Sequence, residues 1–244
     1  MIGRLRTALA SRHPLAKLEK QRQQLLEKGQ VPAPLLPLYQ VPVPQADARW
    51  ETLSFLVLDF ETSGLDPSKD RILSIGYVSV ENSVLKLSSA KHIYVDGGVE
   101  VCPEAAVINH ITPQNLAGGC SDQEGISHLV RQMAGKVVIA HGSAIERGFL
   151  HQALGINIDF PLPVVWLDTL MLERSLAVNR GCSKKDFRLC TLREQKGLPA
   201  YHAHNALVDA VATGELFLVL VREILGREKP ILGPLFIRSC YGRP

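Results

Sequence analysis

Two carboxylates stand out at the end of an apolar stretch. In VLDFETSGLD (Val57–Asp66), Asp59 and Glu61 are two residues apart, immediately before a Ser-Gly turn. Side chains alternate between the two faces of a strand, so both acids are expected to point to the same side. Two like charges at an apolar strand end repel each other and lose hydration. Both effects cost free energy unless a cation lies between the charges and compensates for them. The pair therefore raises the question of a cation site.

Further candidates lie in two later segments. HGSAIERGFL begins at His141 and places Glu146 on the first turns of a predicted helix. HAHNALVDA contains His204 and Asp209, which would be about 140° apart on an ideal helix. We therefore expect His204 in the loop that enters the helix and Asp209 on the helix itself. Each residue alone could have an ordinary structural role, as an acid at a strand end, an acid on a helix surface or a histidine without a catalytic function. Together, oxygen ligands from a strand and two helices suit a hard divalent cation.

The elements that would position these residues follow an α/β pattern. Apolar, β-branched stretches predict five strands, at 53–60, 71–80, 84–95, 137–140 and 163–168. Helical periodicity and capping residues predict helices at 122–134, from about 143, at 169–177 and at 206–225, with a further helical signal at 103–108. The order βββαβαβα indicates a mixed five-stranded sheet with helices on both faces.

Composition divides the chain into four parts. Residues 1–30 form a basic, helical N-terminal extension, with seven Lys or Arg against Glu19 and Glu27. Residues 31–50 hold five prolines and predict an extended, proline-rich strap that lies against the main domain. Residues 51–228 form the main domain, and residues 229–244 a C-terminal tail. The extension carries a charge of +5 and the chain as a whole +3, which leaves −2 for residues 31–244, so nucleic-acid affinity of the main domain must be local.

The spacing of the cysteines and the hydropathy of the chain indicate the cellular compartment. The five cysteines are widely spaced and include no CxxC pair, which argues against a disulfide framework or a zinc knuckle. No apolar run is long enough to span a bilayer, and the N-terminus lacks the apolar core of a secretory signal. We expect a cytoplasmic protein with no membrane partner.

The three motifs together resemble the DEDDh branch of the DnaQ-like 3′→5′ exonucleases, which includes the proofreading subunit of bacterial replicases. VLDFETSGLD is similar to the first motif of the family, HGSAIERGFL to the second, and HNALVDA to the third, with the His-x-x-x-x-Asp spacing that defines the branch. NHITPQNL (Asn109–Leu116) resembles the segment between motifs one and two. The resemblance covers about residues 55–220 and implies a ribonuclease H-like fold.

The resemblance also implies hydrolysis of phosphodiester bonds with two divalent ions, Mg²⁺ or Mn²⁺. Asp59, Glu61, Glu146 and Asp209 would hold the ions, and His204 would take a proton from the attacking water. An imidazole suits that task, because its unperturbed pKa of about 6.5 leaves it largely neutral at cellular pH. Glu146 departs from the family pattern, which has Asp at this position. The longer side chain keeps the charge but shifts its oxygens, so activity is expected to be retained, although the geometry could be spoiled.

Substrate contacts are implied in the same way. The backbone at Thr62 would meet the terminal 3′-hydroxyl, Leu65 and Ile111 would contact the last bases, and His141 would border the scissile phosphate. Leu65 and Ile111 could equally be core residues. Five basic residues before His204 could guide the substrate backbone or form a solvated loop: Lys184, Lys185, Arg188, Arg193 and Lys196.

The leading interpretation is a DNA-directed 3′→5′ exonuclease that acts on single-stranded 3′ ends, alone or with a polymerase or repair partner. A second interpretation is a 3′→5′ exoribonuclease acting on RNA ends or short oligoribonucleotides. A third, raised by Glu146, is a catalytically weakened protein that binds nucleic-acid ends.

Overall fold

The computed structural model describes residues 13–96, 111–181, 186–226 and 231–241. Its strands are β1 (Phe55–Thr62), β2 (Ile72–Glu81), β3 (Val84–Asp96), β4 (Cys120–Ser121), β5 (Val137–Ala140) and β6 (Val165–Asp168). Its helices are α1 (Pro14–Glu27), α2 (Leu36–Tyr39), α3 (Pro113–Ala117), α4 (Asp122–Met133), α5 (Ala144–Ala153), α6 (Thr169–Asn179), α7 (Leu189–Gln195), α8 (Ala206–Leu225) and α9 (Leu232–Tyr241). The helical signal expected at 103–108 lies outside the described residues.

The sheet is mixed and has the order β4-β3-β2-β1-β5-β6. A nine-residue loop connects β1 to β2 and a two-residue turn connects β2 to β3, and the three strands pair antiparallel. Strands β5 and β6 run parallel to β1, because each follows a segment that crosses over the sheet. The sheet therefore has six strands where five were expected. The additional strand, β4, has only two residues and pairs with the end of β3, so it is too short to show a periodic pattern.

Both faces of the sheet carry helices, as predicted. Alternate residues of β1 separate into two cores. Phe55 and Val57 pack in one core with residues of α6, α8 and α9. Leu56 and Leu58 pack in the other with residues of α4 and α5. Asp59 and Glu61 continue the alternation of Phe55 and Val57, so β1 directs them to the face covered by α8.

The proline-rich segment differs from the expected extended conformation. It contains a 3₁₀ turn, Ala33–Leu35, followed by the single-turn helix α2. Proline is tolerated in the first turn of a helix, where its missing N–H would have no intrahelical partner. Leu35, Leu38 and Tyr39 are buried in the core beneath α4 and α5, so this segment packs against the sheet domain.

The residues expected as a C-terminal tail include helix α9. Leu232 and Leu235 are buried, and the helix packs on α6 and on edge strand β6. Leu232 also donates its N–H to the carbonyl of Ala48, and Gly233 donates to the carbonyl of Ala46, so the C-terminal segment contacts the proline-rich segment. In the described ranges, no helix combines the length and hydropathy needed to cross a membrane.

Candidate active site

Three carboxylates converge on the face beneath α8. Asp59 and Glu61 come from the end of β1, and Asp209 comes from the first turn of α8. One oxygen atom from each lies within 4.8 Å of the others. Residues separated by about 150 positions in the sequence therefore form one acidic cluster at the C-terminal end of β1.

Local hydrogen bonds fix the start of α8 and thereby Asp209. Asn205 caps the helix, since its Oδ1 accepts a hydrogen bond of 3.2 Å from the N–H of Val208. The Asp209 carboxylate reaches back and accepts a 3.0 Å hydrogen bond from the N–H of Asn205. This reciprocal arrangement, a variant of the capping box, holds the Asp209 side chain over the sheet.

Gly76 allows α8 to approach the sheet. Gly76 lies on β2 directly opposite Asp59, and the first residue of α8, Ala206, packs against its Cα. Gly76 was not among the residues identified from the motifs. The sequence pattern could have indicated its role, because a lone glycine within an apolar strand often marks the close approach of another backbone.

Glu146 lies beside this cluster on the first turn of α5. Its side chain is only 4% exposed, and its Oε2 has no hydrogen-bond partner within the described residues. Burial, with a smaller contribution from the nearby charge of Asp168, raises the pKa of Glu146 to about 8. Glu146 in turn raises the pKa of Asp59. The structure therefore brings Glu146 next to Asp59 but not into the group of three close oxygens.

The electrostatics of the cluster favour a bound cation. Burial raises the pKa of Asp59 well above its ordinary value, and the charges of Glu146, Asp209 and Glu61 add to that increase. Burial and Asp209 also raise the pKa of Glu61 to about 8. Clustered carboxylates ionise at neutral pH only when positive charge compensates them. Together with the orphaned Oε2 of Glu146, this donor set fits hard divalent ions, which take oxygen ligands.

Asp168 organises the loop before Glu146, a role that no sequence motif indicated. Its carboxylate accepts hydrogen bonds from the N–H groups of Gly142 (2.9 Å) and Ser143 (2.8 Å). It also caps α6 by accepting from the N–H of Leu170 at 2.9 Å. One buried side chain thus ties the start of α5, which carries Glu146, to the end of β6. The available signal was an Asp-Thr pair directly after an apolar strand.

His204 lies in the loop that enters α8, as predicted. It is exposed and immediately precedes the capping residue Asn205. Its backbone has a φ of 66°, in the left-handed region that is uncommon for residues other than glycine. The charge of His204 contributes to lowering the pKa of Asp209, although burial, which raises it, is the larger effect. His204 is therefore beside the cluster and accessible from solvent.

The sequence matches the model of the exonuclease family RNase_T over residues 56–217. This range contains all four acids and His204. The chain belongs to this exonuclease family. The resemblance to the DnaQ-like 3′→5′ exonucleases and the assignment as a nuclease are thus confirmed at the level of the family.

Several curated relatives are named as DNA polymerase III proteins. The exonuclease chain is 31% identical over 171 residues to the DNA polymerase III subunit epsilon of Treponema pallidum. The aligned region covers 70% of this chain and 78% of that protein. It is 30% identical over 179 residues to the PolC-type DNA polymerase III of Thermotoga petrophila, which covers 72% of this chain. It spans only 12% of the length of that PolC-type relative.

Solved structures confirm the fold. Exonuclease I of E. coli in complex with a dT13 oligonucleotide has a TM-score of 0.60 at 18% identity, covering 70% of this chain and 41% of that one. Exonuclease X in complex with 5′ overhanging duplex DNA has a TM-score of 0.56 at 20% identity, covering 75% and 99%. The exonuclease chain therefore has the α/β fold of these enzymes.

The residues expected to bind substrate occupy different environments in this exonuclease domain. Leu65 is 78% exposed, in the loop after β1, and Thr62 donates a hydrogen bond of 2.6 Å from its Oγ1 to the carbonyl of Gly64. Ile111 is only 3% exposed but lines a cavity beside Glu61. His141 is largely enclosed. One of its ring nitrogens lies 2.8 Å from the Oγ1 of Thr169, and the other lies 2.8 Å from the carbonyl oxygen of Phe187.

Two of the five basic residues before His204 have structural roles. Arg193 is 3% exposed, donates to the carbonyls of Ala212 and Pro199, and forms an ion pair with Glu215. Lys196 forms ion pairs with the fully buried Glu173 at 2.9 Å and with Glu223. Both alternatives for these two residues, guidance of the substrate and a solvated loop, are therefore wrong. The sequence could not show this, because their partners lie on α6 and α8. Arg188 pairs with Asp186 at the surface, and Lys184 and Lys185 lie outside the described residues.

Proposed function

We propose that this protein is a 3′→5′ exonuclease that removes nucleotides from single-stranded 3′ ends of DNA with two divalent ions and a histidine base. The observation that carries the proposal is the convergence of Asp59, Glu61 and Asp209, with one oxygen from each within 4.8 Å of the others. The match to the exonuclease family supports the reaction class.

The four acids would divide the metal sites between them. Asp59, at the centre of the cluster, would serve both ions, with Glu61 and Asp209 completing the set and Glu146 holding the second ion or its waters. Mg²⁺ or Mn²⁺ at these positions would stabilise the charge that develops on the attacking and leaving oxygens. The acids would remain ionised only with the ions bound, since burial and mutual repulsion raise the pKa values of Asp59 and Glu61.

His204 would act as the general base. It is the exposed histidine next to Asp209, and its loop position lets the imidazole reach an attacking water from the solvent side. The alternative interpretation of His204, as an ordinary surface histidine, predicts no effect of its removal on the rate.

Four further residues would position the substrate. The exposed Leu65 suits contact with a terminal base, because apolar surfaces stack with any base. The backbone at Thr62 would meet the 3′-hydroxyl, and Ile111 would contact the base from the cavity side. His141 would border the scissile phosphate by anchoring the nearby loop, since both ring nitrogens already have protein partners.

A DNA substrate and a polymerase or repair partner are supported by the names of similar proteins. The relative from Treponema pallidum is a DNA polymerase III subunit, and the similar exonuclease I was solved with a dT13 oligonucleotide. Residues 51–228 would form the catalytic unit, the segment 31–50 would brace it, and the basic segment 1–30 would contact a partner.

The test is the digestion of matched 5′-labelled DNA and RNA single strands in Mg²⁺ or Mn²⁺. We expect a ladder of shortened DNA products that EDTA and Asp209→Asn abolish, whereas Asp159→Asn, an exposed acid elsewhere, has no effect. Faster digestion of RNA would favour the exoribonuclease. Binding of labelled strands without any ladder would favour an end-binding protein and overturn the proposal.

A further inference from the structure

One carboxylate holds the nine-residue loop between β1 and β2. The Oδ1 of Asp70 accepts a hydrogen bond of 3.0 Å from the Oγ of Ser63, and its Oδ2 accepts one of 2.9 Å from the N–H of Asp66. The N–H of Asp70 in turn donates to the carbonyl of Asp66 at 2.8 Å. Asp70 therefore fixes residues on both sides of Leu65 in the chain.

Close packing adds to these hydrogen bonds. A Cβ atom added to Gly64 would lie 2.4 Å from the Oδ2 of Asp70, so a larger residue would displace the carboxylate. The loop also packs on α5, since a Cβ atom added to Gly148 would lie 3.0 Å from the Cγ of Pro67. Gly148 is two residues beyond Glu146 on that helix. The loop is thus fixed between its own carboxylate and the helix that carries one of the four acids.

This fixed loop presents an apolar side chain to solvent. Leu65 is 78% exposed, whereas Ser63 and Asp66 are hydrogen-bonded to Asp70. Leu65 follows Glu61 by four residues, which span at most about 14 Å, so it lies close to the acidic cluster. A ligand that contacts Leu65 would have little loop entropy left to remove, and preorganisation of this kind strengthens binding.

We propose that Asp70 is a positioning residue that acts through Leu65 to strengthen binding of the substrate strand. The inference rests on the proposed function, in which Leu65 contacts a base. Asp70 would not touch the substrate, and its hydrogen bonds would hold Leu65 in the conformation that the base meets. Loss of Asp70 would therefore weaken strand binding without slowing the chemical step.

The test is a double-mutant cycle on the digestion of single-stranded DNA. Asp70→Ala should raise KM by about two- to tenfold, the effect of lost hydrogen bonds, and leave kcat within about twofold of the wild type. Leu65→Ala should itself raise KM. In the Leu65→Ala background, Asp70→Ala should have no further effect on KM, because residues that act through one contact are not additive. An equal increase in both backgrounds would overturn the inference.

Asp70→Asn separates hydrogen bonding from charge. The amide oxygen can accept from the N–H of Asp66 while the NH₂ group donates to the Oγ of Ser63, so KM should stay close to that of the wild type. Asp159→Ala, which removes an exposed acid in the loop after α5, is the matched control and should also leave KM unchanged. A KM for Asp70→Asn as high as that for Asp70→Ala would contradict the role.

Binding of a 5′-labelled single strand, measured by fluorescence anisotropy in EDTA, gives a readout that does not depend on cleavage. Asp70→Ala should weaken this binding, and Leu65→Ala should remove the difference. Unchanged binding and KM in either single variant would overturn the inference. If the wild type cleaves no strand, the proposed function fails, whereas an effect of Asp70→Ala on binding that Leu65→Ala removes would still support the positioning role.

Discussion

Gly76 and Ala206 are in direct backbone contact, with no room for a side chain between them. A Cβ atom added to Gly76 would lie 2.0 Å from the carbonyl carbon of Ala206. Because Gly76 is the cross-strand neighbour of Asp59, this contact sets the distance between β1 and the first turn of α8. The acidic cluster therefore depends on the absence of a methyl group on β2.

Gly76→Ala should lower both the catalytic rate and the stability of the fold. The methyl group must displace the first turn of α8 and move Asp209, and a displacement of about 1 Å can reduce a rate by about 10²-fold. The overpacking should cost about 1–3 kcal/mol of unfolding free energy. The rate of strand digestion measures the first effect, and denaturant unfolding measures the second. Gly118→Ala, where the nearest atom is 3.8 Å from the added Cβ, should leave both unchanged. Normal activity of a folded Gly76→Ala protein would show that α8 is not held by this contact.

His204→Ala should reduce kcat by about 10²-fold or more, as expected for loss of a general base. Mn²⁺ binding, measured by calorimetry, should be retained, because His204 lies outside the group of three close carboxylates. His128→Ala on α4, which contacts Tyr77 on the opposite face of the sheet, serves as the control. A near-normal rate for His204→Ala would remove this residue from catalysis.

The metal-free protein should lose stability as the pH rises. The folded-state pKa values of Glu61 and Glu146 are about 8, raised from 4.5 chiefly by burial. Groups with raised pKa values contribute stability while protonated and lose that contribution as the pH rises through the folded-state pKa. In EDTA, Tm should fall by at least about 2 °C between about pH 5 and about pH 8.

Mn²⁺ should restore the Tm at the higher pH, and Glu146→Gln should flatten the profile in EDTA. The exposed Glu194 provides the control Glu194→Gln, which should leave the profile unchanged. A flat wild-type profile in EDTA would contradict the raised pKa values.

Glu146→Asp should keep activity within about tenfold of the wild type or raise it, whereas Glu146→Gln should lose about 10²-fold. The reason is that Oε2 of Glu146 has no hydrogen bond within the described chain, so the longer side chain is not held in one contact. Single-turnover rates at saturating Mn²⁺ measure the difference. A large loss for a folded Glu146→Asp protein would mean that the site is built around the glutamate.

Asp168→Asn should loosen the loop that precedes Glu146. The side chain of Asn has one accepting oxygen where Asp has two. One or more of the buried N–H groups of Gly142, Ser143 and Leu170 would therefore lose its acceptor. We expect a loss of about 1–3 kcal/mol of unfolding free energy together with a lower rate. Ser239→Ala removes only the single hydrogen bond that the Asp168 N–H donates, and should cost less. Equal stability of Asp168→Asn and the wild type, measured by denaturant unfolding, would contradict this role.

The parts of the fold that the sequence predicted are those governed by local periodicity. The alternation along β1 placed Asp59 and Glu61 on one face, and the five-residue spacing separated His204 from the helix that carries Asp209. Helix α8 has the predicted bounds, because capping and an apolar pattern mark its ends.

The features that were missed depend on distant partners. Arg193 and Lys196 resemble surface residues in the sequence but are held by carboxylates on α8 and α6. Strand β4 exists only through its pairing with β3. The closeness of Gly76 to Ala206, and of Asp168 to Ser143, arises from the packing of elements about 130 and 25 residues apart, which no local pattern encodes.

Helix α9 lies beyond residue 217, where the match to the exonuclease family ends, yet it covers edge strand β6 and accepts a hydrogen bond from Asp168 through Ser239. A recombinant fragment trimmed to the family boundaries would leave the outer hydrogen-bonding groups of β6 exposed. Unprotected strand edges pair with other chains. Such a fragment should therefore aggregate on expression, and fragments for structural work should retain α9.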